Sequence, residues 1–99
     1  MIIEIKSMKY RSRFEIISQI LETANGGGGA TKTKIMYKAF LSFIQLKEFL
    51  KFLTESDLLT YDPLSQTFKT TEKGLMFLRT YSQMNELMSV SKSRFMLDL

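Results

Sequence analysis

The chain has 99 residues, 44% of them hydrophobic, and carries 14 basic and 10 acidic residues for a net charge of +4. This length fits one domain. The absence of cysteine and histidine excludes a disulfide framework, a thiolate zinc site and a Cys or His nucleophile. No membrane-length apolar run, secretory leader or Asp-rich calcium loop is visible, so we expect an intracellular protein without metal, cofactor or membrane span.

The positive charge is concentrated in the first half of the chain. Nine basic and four acidic residues occur up to Lys51, against five basic and six acidic residues after it. Such an asymmetry favours a polyanionic partner such as nucleic acid. The other interpretation is that the charge serves solubility alone. The positions of the lysines on the predicted helices and strands are needed to choose between the two.

A first helix is predicted over Ser12–Ala24, because its apolar residues recur at helical spacing. Ser12 followed by Glu15 is typical of a capping box at the start of a helix. We expect Asn25 and Gly26 to end the helix, since both tolerate the left-handed conformation common at that position.

The glycine run 26–29 resembles a phosphate-binding loop only in composition. It lacks the Gly-Lys-Ser/Thr that such a loop requires, so we interpret it as a flexible connector. A short helix follows over Thr31–Ala39, with Ile35, Met36 and Ala39 expected inward. Its outward face carries Lys32, Lys34 and Lys38.

A second amphipathic helix is predicted to begin after a turn at Phe40 and Leu41. Ser42 and Gln45 have the residue types and spacing of a capping box. The apolar positions expected to face the core follow at helical spacing; they are Leu46, Phe49, Leu50 and Leu53. The opposite face presents Ile44, Lys47, Glu48 and Lys51.

Two short β-type runs come next, over Leu58–Tyr61 and Thr67–Lys69. Residues 62–66 between them contain Asp-Pro, which predicts a tight turn and therefore a hairpin. Thr70 or Thr71 is expected to cap a last helix.

The last helix is predicted to reach at least Met88, with an extension to Phe95 left open. Its apolar residues step by four, three and four, the spacing of a coiled-coil seam; they are Phe77, Tyr81, Met84 and Met88. Core packing is the alternative use of this seam, but a small domain leaves such a helix overhanging. We therefore expect self-association into a homodimer.

The order helix, turn, helix, hairpin predicts a mainly α fold with a small β-hairpin (α+β), a winged helix-turn-helix. We expect residues 1–10 to form an arm or short strand. Residues 11–74 would form the winged helix-turn-helix domain, and residues 75–99 a dimerisation helix and tail.

Three segments resemble one known family. They are Lys32–Leu50, the segment Phe68–Leu78 at the junction of hairpin and last helix, and Arg11–Ile17. Each is similar to the corresponding phrase of small archaeal winged helix-turn-helix DNA-binding proteins, which are transcription regulators or chromatin-associated proteins. The resemblance implies a homodimer joined by an antiparallel coiled coil of long C-terminal helices.

The candidate base-contacting residues lie at the start of the second helix of the helix-turn-helix, because that end enters the major groove. They are Ser42, Phe43, Gln45 and Lys47. Glutamine can pair with adenine and phenylalanine can contact a thymine methyl. Gln45 serving only the capping box, and Phe43 lying at the core edge, remain open alternatives.

Other candidate DNA-binding residues need only reach a phosphate, which fixes register without reading sequence. They are Arg11, Arg13, Lys32, Lys34, Lys38, Lys51 and Lys69. Ser65 and Gln66 at the hairpin tip are expected over the minor groove.

The sequence thus predicts a non-enzymatic, sequence-preferring binder of double-stranded DNA, a dimeric transcription regulator in the cytoplasm on the nucleoid. One alternative is a protein–protein interaction module that uses Phe43 and Ile44 as a contact patch. Another is a non-specific architectural chromatin protein. The sequence determines neither the target DNA sequence nor any small-molecule effector.

Overall fold

The computed structural model describes the backbone of residues 12–97 and the side chains of residues 12–88. Within that range the elements are α1 (Arg13–Ala24), α2 (Lys32–Lys38), α3 (Phe43–Glu55), β1 (Leu59–Asp62), β2 (Thr67–Thr70) and α4 (Glu72–Leu97). This confirms the predicted mainly α fold with one hairpin. The expected N-terminal arm of residues 1–10, and Arg11, lie outside the described residues.

Both helices of the helix-turn-helix, α2 and α3, begin with a side-chain cap. The Thr31 hydroxyl accepts a hydrogen bond from the Lys34 N–H at 3.2 Å. At α3 the Ser42 hydroxyl accepts from the Gln45 N–H at 3.2 Å, and the Gln45 side-chain oxygen accepts from the Ser42 N–H at 3.0 Å. The predicted capping box is therefore present, and the start of α3 is fixed locally.

The end of α1 differs from the prediction. Asn25 has a right-handed φ of −83°, and Gly26 is not left-handed; the positive φ values fall on Gly28 and Gly29 instead. The reason is that the Asn25 N–H donates back to the carbonyls of the last helical turn, Leu21 and Glu22. The chain therefore reverses three residues later than the sequence indicates.

Phe40 lies in the turn that follows α2 and has a backbone conformation that favours glycine. The Leu41 N–H donates to the Met36 carbonyl at 3.1 Å, and the Phe40 N–H donates to the Tyr37 carbonyl at 3.4 Å. This is a Schellman motif, whose central residue is left-handed, and Phe40 has φ 54°. Asp57 occupies the same position after α3 with φ 64°, but a short polar side chain tolerates that region better than a bulky aromatic one.

The hairpin pairs β1 and β2 antiparallel, from Leu59 opposite Thr70 to Asp62 opposite Thr67. Ala30 extends it through an isolated bridge to Phe68, with N–H to carbonyl distances of 2.9 and 2.7 Å. The far end of the glycine run is therefore held against β2, which differs from the flexible connector that the sequence predicts.

The core lies where α1, α2 and α3 meet the hairpin. All four apolar residues of α3 predicted to face inward are buried: Leu46, Phe49, Leu50 and Leu53. α1 contributes Ile17, Ile20, Leu21 and Ala24, and the hairpin contributes Leu59 and Phe68. Burial of these apolar surfaces is the main term that holds the domain together.

α4 is one continuous helix of 26 residues, or about 39 Å at 1.5 Å per residue. Thr71 rather than Thr70 caps it, since the Thr71 hydroxyl accepts from the Gly74 N–H at 3.0 Å. The Thr70 hydroxyl instead donates to the Leu21 carbonyl. The predicted boundary at residue 74 thus falls inside a helix, which carries the chain from the domain into the C-terminal segment.

The first turns of α4 pack on the domain, whereas the next described turns, through Met88, do not. Phe77 stacks with Tyr81 and lies 6.1 Å from Phe14 of α1, measured between ring centroids. From residue 82 through Met88 the described side chains are exposed. The molecule is accordingly elongated, 54 by 30 by 22 Å. Within the described residues, no helix is long and apolar enough to cross a membrane.

Candidate nucleic-acid interface

The N-terminal edge of α3 is open to solvent. Ser42, Phe43, Ile44 and Gln45 are all exposed, Phe43 to 58%. Phe43 therefore does not lie at the core edge, and the Lys47 ammonium lies 5.6 Å above the centroid of its ring. An apolar ring and a cation are presented together where a recognition helix meets base edges.

Gln45 is exposed but engaged. Its side-chain oxygen accepts the Ser42 N–H, while its amide nitrogen can still donate. Bidentate pairing with adenine uses both groups, so it would have to share or break the capping bond. The geometry favours the structural use of Gln45 and leaves its base contact a prediction.

A groove of about 630 Å³ separates α3 from the hairpin. Three of the predicted lysines line it: Lys47 and Lys51 from α3, and Lys32 from the start of α2. Its floor is apolar, from Leu50, Leu59 and Phe68. We call this the wing groove. Three lysine side chains therefore border one concave surface, an arrangement that draws in a polyanion.

The hairpin tip borders a second depression. A smaller depression of about 430 Å³ is lined by Thr31, Thr33 and Gln66, and it shares Lys32 and Tyr61 with the wing groove. The structure thus brings the predicted tip residue Gln66 beside the predicted phosphate-binding Lys32.

The turn of the hairpin is held by Asp62. Its carboxylate accepts hydrogen bonds from the Leu64 N–H and the Ser65 hydroxyl, both at 3.0 Å. These bonds hold the pKa of Asp62 below its ordinary value, the Leu64 N–H contributing most. The Ser65 hydroxyl is therefore used within the turn, and the tip carries a negative charge at neutral pH, which would oppose close contact with a phosphate.

The other predicted basic residues are placed elsewhere. Lys34 and Lys38 are exposed on α2. The Arg13 guanidinium of α1 lies 5.2 Å from the centroid of the Phe49 ring of α3. Lys69 runs alongside the glycine run, where its Cγ would be 2.9 Å from a Cβ on Gly29.

Sequence reasoning missed several residues of the wing groove. Thr54, Asp57, Thr60 and Tyr61 line it beside the lysines. For Tyr61, the alternation of buried and exposed residues along a short strand is a weak indication that its side chain is exposed. Nothing in the sequence indicated that Asp57 lines the groove, because its position depends on the left-handed turn after α3. Across residues 12–88, no group of three or more His, Cys, Asp or Glu residues could hold a metal ion.

Comparison with known proteins identifies the class to which this architecture belongs. The model of the winged helix-turn-helix family matches residues 10–89, so the chain belongs to that family. Among solved structures it is similar to Sso10a-2, a DNA-binding protein from Sulfolobus solfataricus, with a TM-score of 0.69 and 20% identity over 90% of this chain and 97% of that one. A comparison with curated proteins gave no match.

Proposed function

We propose that this protein binds double-stranded DNA in the cytoplasm, on the nucleoid. The start of α3 would enter the major groove, and the wing groove would receive the sugar–phosphate backbone. One observation carries the proposal: Lys32, Lys47 and Lys51, from two separate helices, line a single groove between the recognition helix and the wing. Their ammonium groups would neutralise adjacent phosphates and release counterions.

Two further observations support this proposal. Membership of the winged helix-turn-helix family and similarity to a DNA-binding protein agree with the placement of the charges. The polar edge of α3 is open, with Ser42 and Gln45 both exposed. A helix edge covered by other side chains would have been incompatible with insertion into a groove.

We further propose sequence-preferring binding and a role as a transcription regulator. The exposed Phe43 at the start of α3 supports it, because an aromatic ring can discriminate thymine by its methyl group. The capping bond of Gln45 favours the architectural alternative, in which phosphate contacts dominate and no base is read.

The experiment is a salt titration of binding to a random duplex, followed by selection of bound sequences from a random pool. We expect the logarithm of affinity to fall linearly with the logarithm of salt concentration, by about 0.9 for each phosphate neutralised. An enriched sequence motif would support the regulator, and enrichment without a motif would support the architectural protein. Affinity that does not respond to salt would overturn DNA binding and favour the protein-interaction module.

We also propose a homodimer formed through α4. Met84, Leu87 and Met88 are large apolar side chains in the exposed part of this helix. Leu87 was not part of the predicted seam, and it widens the apolar surface next to Met84 and Met88. Removing such a surface from water would stabilise an antiparallel helix pair.

Met84→Lys is expected to convert the dimer to a monomer, because the ammonium would be buried without a partner in the seam. Ser82→Lys is the matched control: it adds the same charge to the same helix, about 160° away from Met84 around the axis. Sedimentation equilibrium at equal concentrations measures both. A Met84→Lys protein that stays dimeric would place the interface elsewhere.

A further inference from the structure

Three exposed aromatic rings surround the turn between α2 and α3. Tyr37, Phe40 and Phe43 are 78%, 68% and 58% exposed. We call these three residues the turn patch. The neighbouring side chains Ala39 and Leu41 are buried in the core, so the backbone of the turn is anchored while the rings stand in solvent. Lys38 is exposed between Tyr37 and Phe40 in the sequence.

Phe40 is the unexpected member of this patch. It holds the left-handed position of a Schellman motif, where glycine is favoured and a bulky side chain is strained. Its ring is mostly exposed, so core packing does not account for an aromatic residue there. An exposed aromatic ring in a strained backbone position points to a use for the ring outside the fold.

The surrounding charge says what kind of partner would fit. No acidic residue occurs between Glu22 and Glu48, while Lys32, Lys34, Lys38 and Lys47 all lie in that stretch. A neutral apolar protein surface would use the rings but leave the lysines without partners. A chain of phosphates with accessible bases would use both, since unpaired bases stack on aromatic side chains and the lysines follow the backbone.

We infer that the turn patch binds single-stranded nucleic acid by stacking unpaired bases on Tyr37, Phe40 and Phe43. This activity goes beyond the proposed duplex binding, because base faces inside a duplex are covered by their neighbours. The Lys47 ammonium above the Phe43 ring would strengthen the contact of this ring with a phosphate-bearing strand.

The test compares two 20-nucleotide single strands, oligothymidine and an abasic strand with the same phosphates, in fluorescence anisotropy titrations at one salt concentration. The full chain is expected to bind oligothymidine at least about tenfold more tightly than the abasic strand, because stacking requires the base. A blunt 20-bp duplex is titrated in parallel to report on the proposed function separately.

Phe40→Gly and Tyr37→Leu remove two of the three stacking rings. Phe40→Gly relieves the left-handed strain, so it is expected to fold at least as stably as the parent. The double variant keeps only the Phe43 ring, so it should lose most of its preference for oligothymidine over the abasic strand, with duplex affinity changed less than about twofold. Phe52→Leu is the matched control, since Phe52 is 48% exposed on α3 but outside the turn patch, and it should keep the preference for bases.

Equal binding of the parent to both strands would overturn the inference. So would an unchanged base preference in the Phe40→Gly, Tyr37→Leu protein, a result that would leave the patch as a protein-docking surface. If the parent protein does not bind the duplex but still prefers oligothymidine to the abasic strand, the proposed duplex function is rejected and single-strand binding is supported.

Discussion

Replacing Lys32, Lys47 and Lys51 together with alanine is expected to lower affinity for random duplex DNA by about 100-fold near 0.1 M salt. Each lysine that neutralises one phosphate contributes about 0.9 to the slope of log affinity against log salt, so the slope should become shallower by about 2.7. The loss should be similar on all sequences, because in the wing groove these side chains, including Lys47 with its predicted base contact, would meet the backbone rather than the bases.

The control for this prediction removes charge outside the wing groove. Lys73 and Arg79 are exposed on α4, and changing both to glutamine reduces the net charge without touching the groove. If affinity for DNA depends on net charge alone, each charge removed in the control should lower the affinity nearly as much as each lysine removed from the groove. Filter binding or anisotropy at four salt concentrations separates the two cases. An unchanged slope in the lysine variant would remove the wing groove from the interface.

Gly29→Ala is expected to destabilise the protein by about 2–5 kcal/mol, the sum of two costs. A left-handed backbone costs a non-glycine residue about 1–2 kcal/mol, and Gly29 has φ 80°. A Cβ there would also lie 2.6 Å from the Phe68 carbonyl oxygen, and overpacking of this kind costs about 1–3 kcal/mol. The backbone oxygen cannot move freely, because it accepts the Ala30 N–H.

The glycine run supplies its own controls. Gly28 has φ 86° with open space around its Cβ direction, and Gly27 has neither constraint. Gly28→Ala should therefore lower the free energy of unfolding by the conformational cost alone, about 1–2 kcal/mol. Gly27→Ala should be neutral or more stable by about 0.4–1 kcal/mol through the unfolded state. Urea unfolding at one protein concentration measures all three. Equal losses at Gly28 and Gly29 would contradict the close approach to β2.

Local chemistry explains which parts of the fold were predictable. The capping box of Ser42 and Gln45 acts within four residues, so the sequence placed the start of α3 correctly. The apolar spacing of α3 likewise predicted its buried face. The end of α1 was placed correctly as well, but its conformation was wrong, because the residue that takes the left-handed turn depends on where the connector docks.

The candidate site was predictable only in part, for the same reason. Charge and spacing identified Lys32, Lys47 and Lys51 as candidates, but nothing in the sequence separated these three as a group from Lys34 and Lys38. Their common groove exists because the hairpin folds back beside α3 and meets the start of α2. Contacts between residues distant in the chain carry no local signal.

By itself, then, the amino-acid sequence determined the order and type of the elements, the capped helix starts, the apolar face of α3 and the excess of positive charge in the first half. Each of these depends on residues within one or two turns of one another. Only the tertiary structure decided which lysines share a surface, that Gly29 is fixed against Phe68, and that Tyr37, Phe40 and Phe43 stand in solvent. Packing between distant segments determines those features, because it settles which side chains are covered and which remain available to a partner.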